Sequence, residues 1–119
     1  MLPDAGDVAW VEFDPVLGTE QAGRRPALVV SSRSYQEISS RVLVCPISSR
    51  ARPWPFNVLI PPSLIVQGAI LVDQVRMIHR PSRLFDTIGA LPPSVLNQVR
   101  GVLASLAGIL LIAPGNQSS

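Results

Sequence analysis

With 119 residues the chain has room for one domain and one core, so a site on it is either shallow or shared with a second copy. It is 47% hydrophobic and 15% charged with a mean hydropathy of +0.34, which points to apolar surface that self-association would cover, but the longest apolar run, Val102 to Ala113 interrupted by Ser105, is too short for the ~20 residues of a membrane span. All ten basic residues are arginine, the net charge is +2 and the pI about 9.5, which by themselves fit a polyanionic partner and an unpartnered basic face equally well.

The stretch from Met1 to Asp7 has neither a basic start nor an apolar centre, so no export signal is predicted and a cytoplasmic location is expected. Residues 1–20 hold five acids and no base, whereas residues 21–83 hold nine arginines against Glu37 and Asp73. Val8 to Phe13 is rich in β-branched and aromatic residues and closes on Asp14-Pro15, so it reads as a first strand with Trp10 in the core. From there to Gly23 the chain lacks any hydrophobic period. A polar loop of this length is more often functional than not.

Pro26 to Ser31 and Arg41 to Ile47 are near-continuous apolar runs, the pattern of strands buried on both faces. The single Cys45 lies inside the second run, cannot form an internal disulfide, and is expected to be a core residue. Ser34 to Ile38 has the length of one helical turn. Phe56 to Ile60, and Ala69 to Val72 running on to Ile78, supply further short strands, and this punctuation by proline and glycine predicts a partly closed barrel. The last element changes period: Val95, Leu96, Val99, Val102, Leu103, Leu106, Ile109 and Leu110 recur at helical spacing. An amphipathic helix is predicted over about 93–112, opened by Pro92-Pro93-Ser94 and closed by Pro114-Gly115, with 114–119 as a frayed tail. No linker or repeat divides the chain, so residues 1–119 are read as a single domain.

The usual chemistries find no residues here. One histidine and one cysteine do not make a zinc site, no phosphate-binding Gly-x-x-x-x-Gly-Lys loop exists, and no metal or cofactor is expected. An enzyme built on this chain works with carboxylates, arginines and hydroxyls. Arg50-Ala51-Arg52-Pro53-Trp54-Pro55-Phe56 interleaves two cations with an indole, which suits gripping phosphates while a base stacks on the ring. A loop folded over the barrel mouth with Trp54 as its plug fits the same composition.

Four blocks carry a family resemblance. Gly6 to Pro15 followed by Gly18-Thr19-Glu20-Gln21-Ala22-Gly23-Arg24-Arg25-Pro26, then Val44-Cys45-Pro46-Ile47-Ser48-Ser49, Pro55-Phe56-Asn57-Val58, and Leu71-Val72-Asp73-Gln74-Val75-Arg76 stand in the order and spacing of the MazF/PemK toxins. The likeness runs from residue 6 to about 110. It implies a mainly β fold with a C-terminal helix, an SH3-like partly closed β-barrel of the CcdB/PemK kind. It also implies a homodimer and the toxin of a type II toxin–antitoxin system, a metal-independent endoribonuclease that cuts single-stranded RNA at chosen sequences. An antitoxin with an acidic C-terminal segment is the implied inhibitor.

On this resemblance Arg25 is the catalytic arginine and Ser48 stands where the family has a threonine, keeping the hydroxyl without the methyl group. Attack by a ribose 2′-OH leaves a 2′,3′-cyclic phosphate and a 5′-OH; it needs a proton acceptor, donors to the crowded phosphorane, and a proton for the leaving oxygen. Arg25 suits the second role, Ser48 adds a donor, and Glu20 is the candidate acceptor. RNA contacts are assigned to Thr19, Gln21, Arg24, Arg50, Arg52, Trp54, Gln74 and Arg76. Asp73 is either catalytic or structural, capping a turn or pairing with Arg76, and His79 is read as a surface or dimer-contact residue before a catalytic one. The CcdB branch of the fold, which poisons gyrase and cuts nothing, depends on a Trp-Gly-Ile chain end; this chain ends Gly115-Asn116-Gln117-Ser118-Ser119. An RNA-binding module without catalysis is the other alternative.

Overall fold

The structure, a computed structural model, describes residues 2–13, 23–62 and 65–109. In chain order the elements are β1 (Asp7–Glu12), β2 (Arg24–Val29), α1 (Arg33–Ile38), β3 (Arg41–Ser48), β4 (Asn57–Leu59), β5 (Ala69–Leu71), a 3-10 turn (Val72–Gln74), β6 (Arg76–His79), α2 (Arg80–Arg83), β7 (Leu84–Ala90) and α3 (Pro93–Leu106). The strands form one antiparallel path, β4-β5-β3-β2-β1-β7, with β6 pairing the far half of β3. Among the described residues the path does not close on itself. It is the mainly β, partly closed arrangement with a C-terminal helix that the sequence implies.

The apolar runs of β2 and β3 feed two cores. Leu28 and Cys45 join Val8, Ile70, Val72, Val95, Leu96 and Val99 in the larger core beneath α3, whereas Ala27, Val29 and Val44 join Val11, Phe13, Val42 and Ile78 in a smaller one. Alternate residues of one strand thus enter opposite cores, and the pleat leaves no position for a polar side chain. Gln36 is the one buried polar residue among those described; its amide donates to the Pro3 carbonyl at 2.8 Å and its oxygen accepts from the Ser31 hydroxyl.

Three expectations are corrected and one unpredicted strand is added. Trp10 is 40% exposed rather than core: it shares the face of Val8 by strand alternation, but the large core ends between them. The segment from Ala69 to Ile78 is not continuous strand, because the 3-10 turn at Val72–Gln74 breaks it. Leu84–Ala90 is a strand with no prediction behind it; Asp86, Thr87 and Gly89 spoil its alternation, and it pairs β1 at the sheet edge through two register shifts. Finally, α3 stops at Leu106 and not near 112. Gly108 takes φ +72°, and the N–H groups of Gly108 and Ile109 reach back to the carbonyls of Ser105 and Ala104 at 3.1 and 2.8 Å. This Schellman closure ends the helix eight residues before Pro114. Residues 114–119 lie outside the described residues.

Candidate functional site

The site begins where β2 and β3 part. Their ladder runs Val29↔Val44, Leu28↔Cys45, Ala27↔Pro46 and then stops. Neither Pro26 nor Pro46 has an N–H to donate, so the ladder is short of donors where it ends. Beyond it β2 keeps to β1, with Arg25 across from Val11, while β3 turns to β5, with Ser48 across from Ala69. Arg25 and Ser48 are each two residues past the last bonded pair, one on either lip of the parting. Arg25 is exposed and Ser48 half-buried. The approach of β5 to Ser48 depends on Gly68, which has φ +115° and lies so close that a Cβ would sit 2.1 Å from the Ser48 carbonyl oxygen.

Past Ser48 the chain enters a loop fixed by its own hydrogen bonds. The Ser48 hydroxyl accepts from the Arg50 N–H at 3.1 Å, the Asn57 amide donates to the Arg52 carbonyl at 2.9 Å, and the Asn57 N–H donates to the Trp54 carbonyl at 2.9 Å. The Trp54 indole N–H donates to Asp73 Oδ2 at 2.9 Å, and the Phe56 carbonyl accepts from the Val72 N–H at 3.2 Å. The loop is thereby tied to the 3-10 turn. Between them opens a cleft of about 420 Å³ lined by Ser48, Ala51 to Trp54, Asn57, Leu71, Asp73 and Gln74.

Of the residues singled out in the sequence, the cleft gathers Ser48, Arg52, Trp54, Asp73 and Gln74. Arg25 is not among the lining residues; it stands on β2, across the parting from Ser48. Thr19, Glu20 and Gln21 lie outside the described residues. Arg50 is exposed beside Ser48, and the Arg24 guanidinium lies over the Phe85 ring, 3.6 Å from its centroid. The Arg76 guanidinium is 5.7 Å from the centroid of Phe13. Trp54 is 52% exposed at the cleft wall, so it is not a plug. Asp73 lies within the 3-10 turn, and its carboxylate accepts from the Trp54 indole. His79, hydrogen-bonded through Nδ1 to the Ser82 hydroxyl at 2.7 Å, pairs with Arg41 at the opposite end of β3. Seven residues of strand put ~23 Å between that end and Ser48.

Sequence reasoning missed Asn57 and Gly68. Asn57 sits within one of the four family blocks, yet only its two bonds to the loop reveal what it does. Gly68 carries no sequence signal beyond being a glycine ahead of a strand. Cys45, three residues from Ser48, is excluded as a nucleophile: burial pushes its thiol up to about 12, so no thiolate is available near neutral pH.

Chemically the site offers a hydroxyl and a guanidinium across a parting, a second guanidinium inside the cleft, and a half-exposed aromatic face beside them. That set suits a flexible polyanion bearing planar rings. Comparison with known proteins agrees. The model of the PemK-like, MazF-like toxins of type II toxin–antitoxin systems matches residues 4–107. The chain is 35% identical over 107 residues to the endoribonuclease toxin MazF of Escherichia coli, covering 90% of this chain and 96% of that one. The crystal structure of MazF from Deinococcus radiodurans superposes with a TM-score of 0.82 at 42% identity, covering 92% of this chain and 99% of that one. A MazE–MazF crystal structure from the same organism gives 0.79 at 39% identity, again over 92% and 99%.

Proposed function

The chain belongs to the PemK-like, MazF-like toxins of type II toxin–antitoxin systems and is an endoribonuclease, and from that premise we propose which residues cut and how. Arg25 binds the scissile phosphate and stabilises the charge that builds on its non-bridging oxygens. Ser48 donates a second hydrogen bond from the facing lip. The ribose 2′-oxygen attacks phosphorus, the 5′-oxygen leaves, and the products are a 2′,3′-cyclic phosphate and a 5′-OH; the 2′ proton passes to an acceptor, for which Glu20 is the candidate. Arg50, Arg52, Trp54 and Gln74 hold the strand along the cleft, with Thr19, Gln21, Arg24 and Arg76 as further contacts. The observation that carries this reading is the parting of β2 and β3 at two prolines, which leaves Arg25 and Ser48 on opposite lips of one opening.

Its partners are RNA and an antitoxin. The antitoxin's acidic C-terminal segment competes with RNA for the arginines of the cleft. The chain works as one domain and as a homodimer in the cytoplasm. The half-exposed Trp10 and Met77 and the strongly exposed Ile38 and Leu59 supply apolar surface for a subunit contact. Among the described residues no helix is long and apolar enough to cross a membrane.

The test is cleavage of single-stranded RNA by purified protein in EDTA. Cutting should proceed, leave a cyclic phosphate and a 5′-OH, and stop when the nucleotide at the cut carries 2′-deoxyribose. Cleavage of the deoxy substrate would refute the 2′-OH route, and a sedimentation mass of 12.8 kDa at micromolar concentration would refute the dimer.

A further inference from the structure

We propose that Trp54 is a fixed stacking platform for one nucleobase of the bound RNA and that Asp73 acts as its positioning residue, by accepting the indole N–H rather than by moving a proton. The inference rests on the RNA-cleaving reading of the cleft. A side chain that is 52% exposed would ordinarily rotate freely, yet this indole is held at two points and the backbone that carries it at a third. The indole N–H donates to Asp73 Oδ2 at 2.9 Å, the ring leans on Phe56 with centroids 5.4 Å apart at 59°, and the backbone carbonyl of Trp54 accepts from the Asn57 N–H at 2.9 Å. Both ring and carboxylate line the same cleft as Ser48.

The anchor lies on a different segment from the platform. Asp73 belongs to the 3-10 turn, whose neighbour Val72 is fully buried in the larger core. The carboxylate therefore refers the indole to the core rather than to its own loop. A platform fixed before binding loses little rotamer entropy when a base stacks on it. A base–aromatic stack of ~1–3 kcal/mol corresponds to about 5- to 150-fold in affinity.

The experiment uses a sequence that the wild type cuts, remade with 2′-O-methyl ribose so that it binds uncut, and follows binding by fluorescence anisotropy beside single-turnover cleavage of the RNA itself. Trp54→Ala should weaken binding at least about fivefold. Trp54→Phe and Asp73→Ala should each weaken it by a smaller and similar factor, and the two together should cost no more than either alone, because each removes one end of the same bond. Asp73→Asn keeps an acceptor oxygen and should restore binding and cleavage to within about twofold of wild type. In oligonucleotides each lacking one base, a single position should weaken wild-type binding as Trp54→Ala does, and should cost the Trp54→Ala protein nothing.

Unchanged binding by Trp54→Ala overturns the platform. Loss of cleavage in Asp73→Asn with binding intact makes Asp73 a proton-transfer group and overturns the positioning role. Lower thermal stability in Asp73→Ala at full affinity reduces the bond to a structural one and also overturns it. If the wild type cuts no RNA at all, the reading beneath the proposal has failed, a result distinguishable from all of these.

Discussion

The two ends of β3 make an instructive pair, because both carry arginine and only one is open. At the Ser48 end the strand leaves β2, joins β5 and borders the cleft. At the Arg41 end it stays paired to β6, His79 is bonded to Ser82, and Arg80 donates to the Ser39 carbonyl at 3.3 Å. Charge is thus a poor guide to function in this chain. What separates the ends is whether the ladder is broken, and prolines break it at one end alone.

The largest effect that would test this contrast comes from the open end. Arg25→Ala should lower cleavage by about a thousandfold or more and Ser48→Ala by about ten- to a hundredfold, each with an unchanged thermal midpoint, measured by single-turnover assay. Equal losses from substitutions at the Arg41 end would dissolve the distinction. Next comes Gly68→Ala, which adds a Cβ in a left-handed conformation against the Ser48 carbonyl. It should cost about 2–4 kcal/mol in denaturant unfolding and impair cleavage in the protein that remains folded, since the lip itself must move.

A smaller effect concerns the strand between the two ends. The Cys45 thiol is raised from 9.0 to about 12 by burial, so the unfolded chain ionises before the folded one does. This contribution is fully present below pH 9 and is lost as pH rises toward 12. Stability should therefore decline across that window, and Cys45→Ala should flatten the decline. The smallest effect is reserved for the closed end: His79→Ala should change cleavage by less than about twofold, and a bell-shaped pH–rate profile that vanished in this variant would contradict the assignment.

A good part of the molecule was legible in the residues. The unbroken apolar runs of β2 and β3 announced burial on both faces, and Val95, Leu96 and Val99 announced the helix, because hydrophobic period is a local property that survives any tertiary arrangement. The four spaced blocks carried Arg25 and Ser48. Other features were invisible for a physical reason. Leu84–Ala90 has a strand's backbone without a strand's pattern, since an edge is shaped by its partner and not by a buried face. Trp10 has a core residue's composition, but only the extent of the core decides its exposure.

The sequence by itself determined the fold class, the helix and the types of residue available for catalysis, all of which follow from side-chain chemistry and short-range spacing. Tertiary structure alone decided that Trp54 and Asp73, 19 positions apart, share a hydrogen bond. It alone decided that Gly68 lies against Ser48, and that the strands carrying Arg25 and Ser48 separate beyond Ala27 and Pro46. Those facts depend on which strand pairs with which, and no local pattern encodes the register of a distant partner.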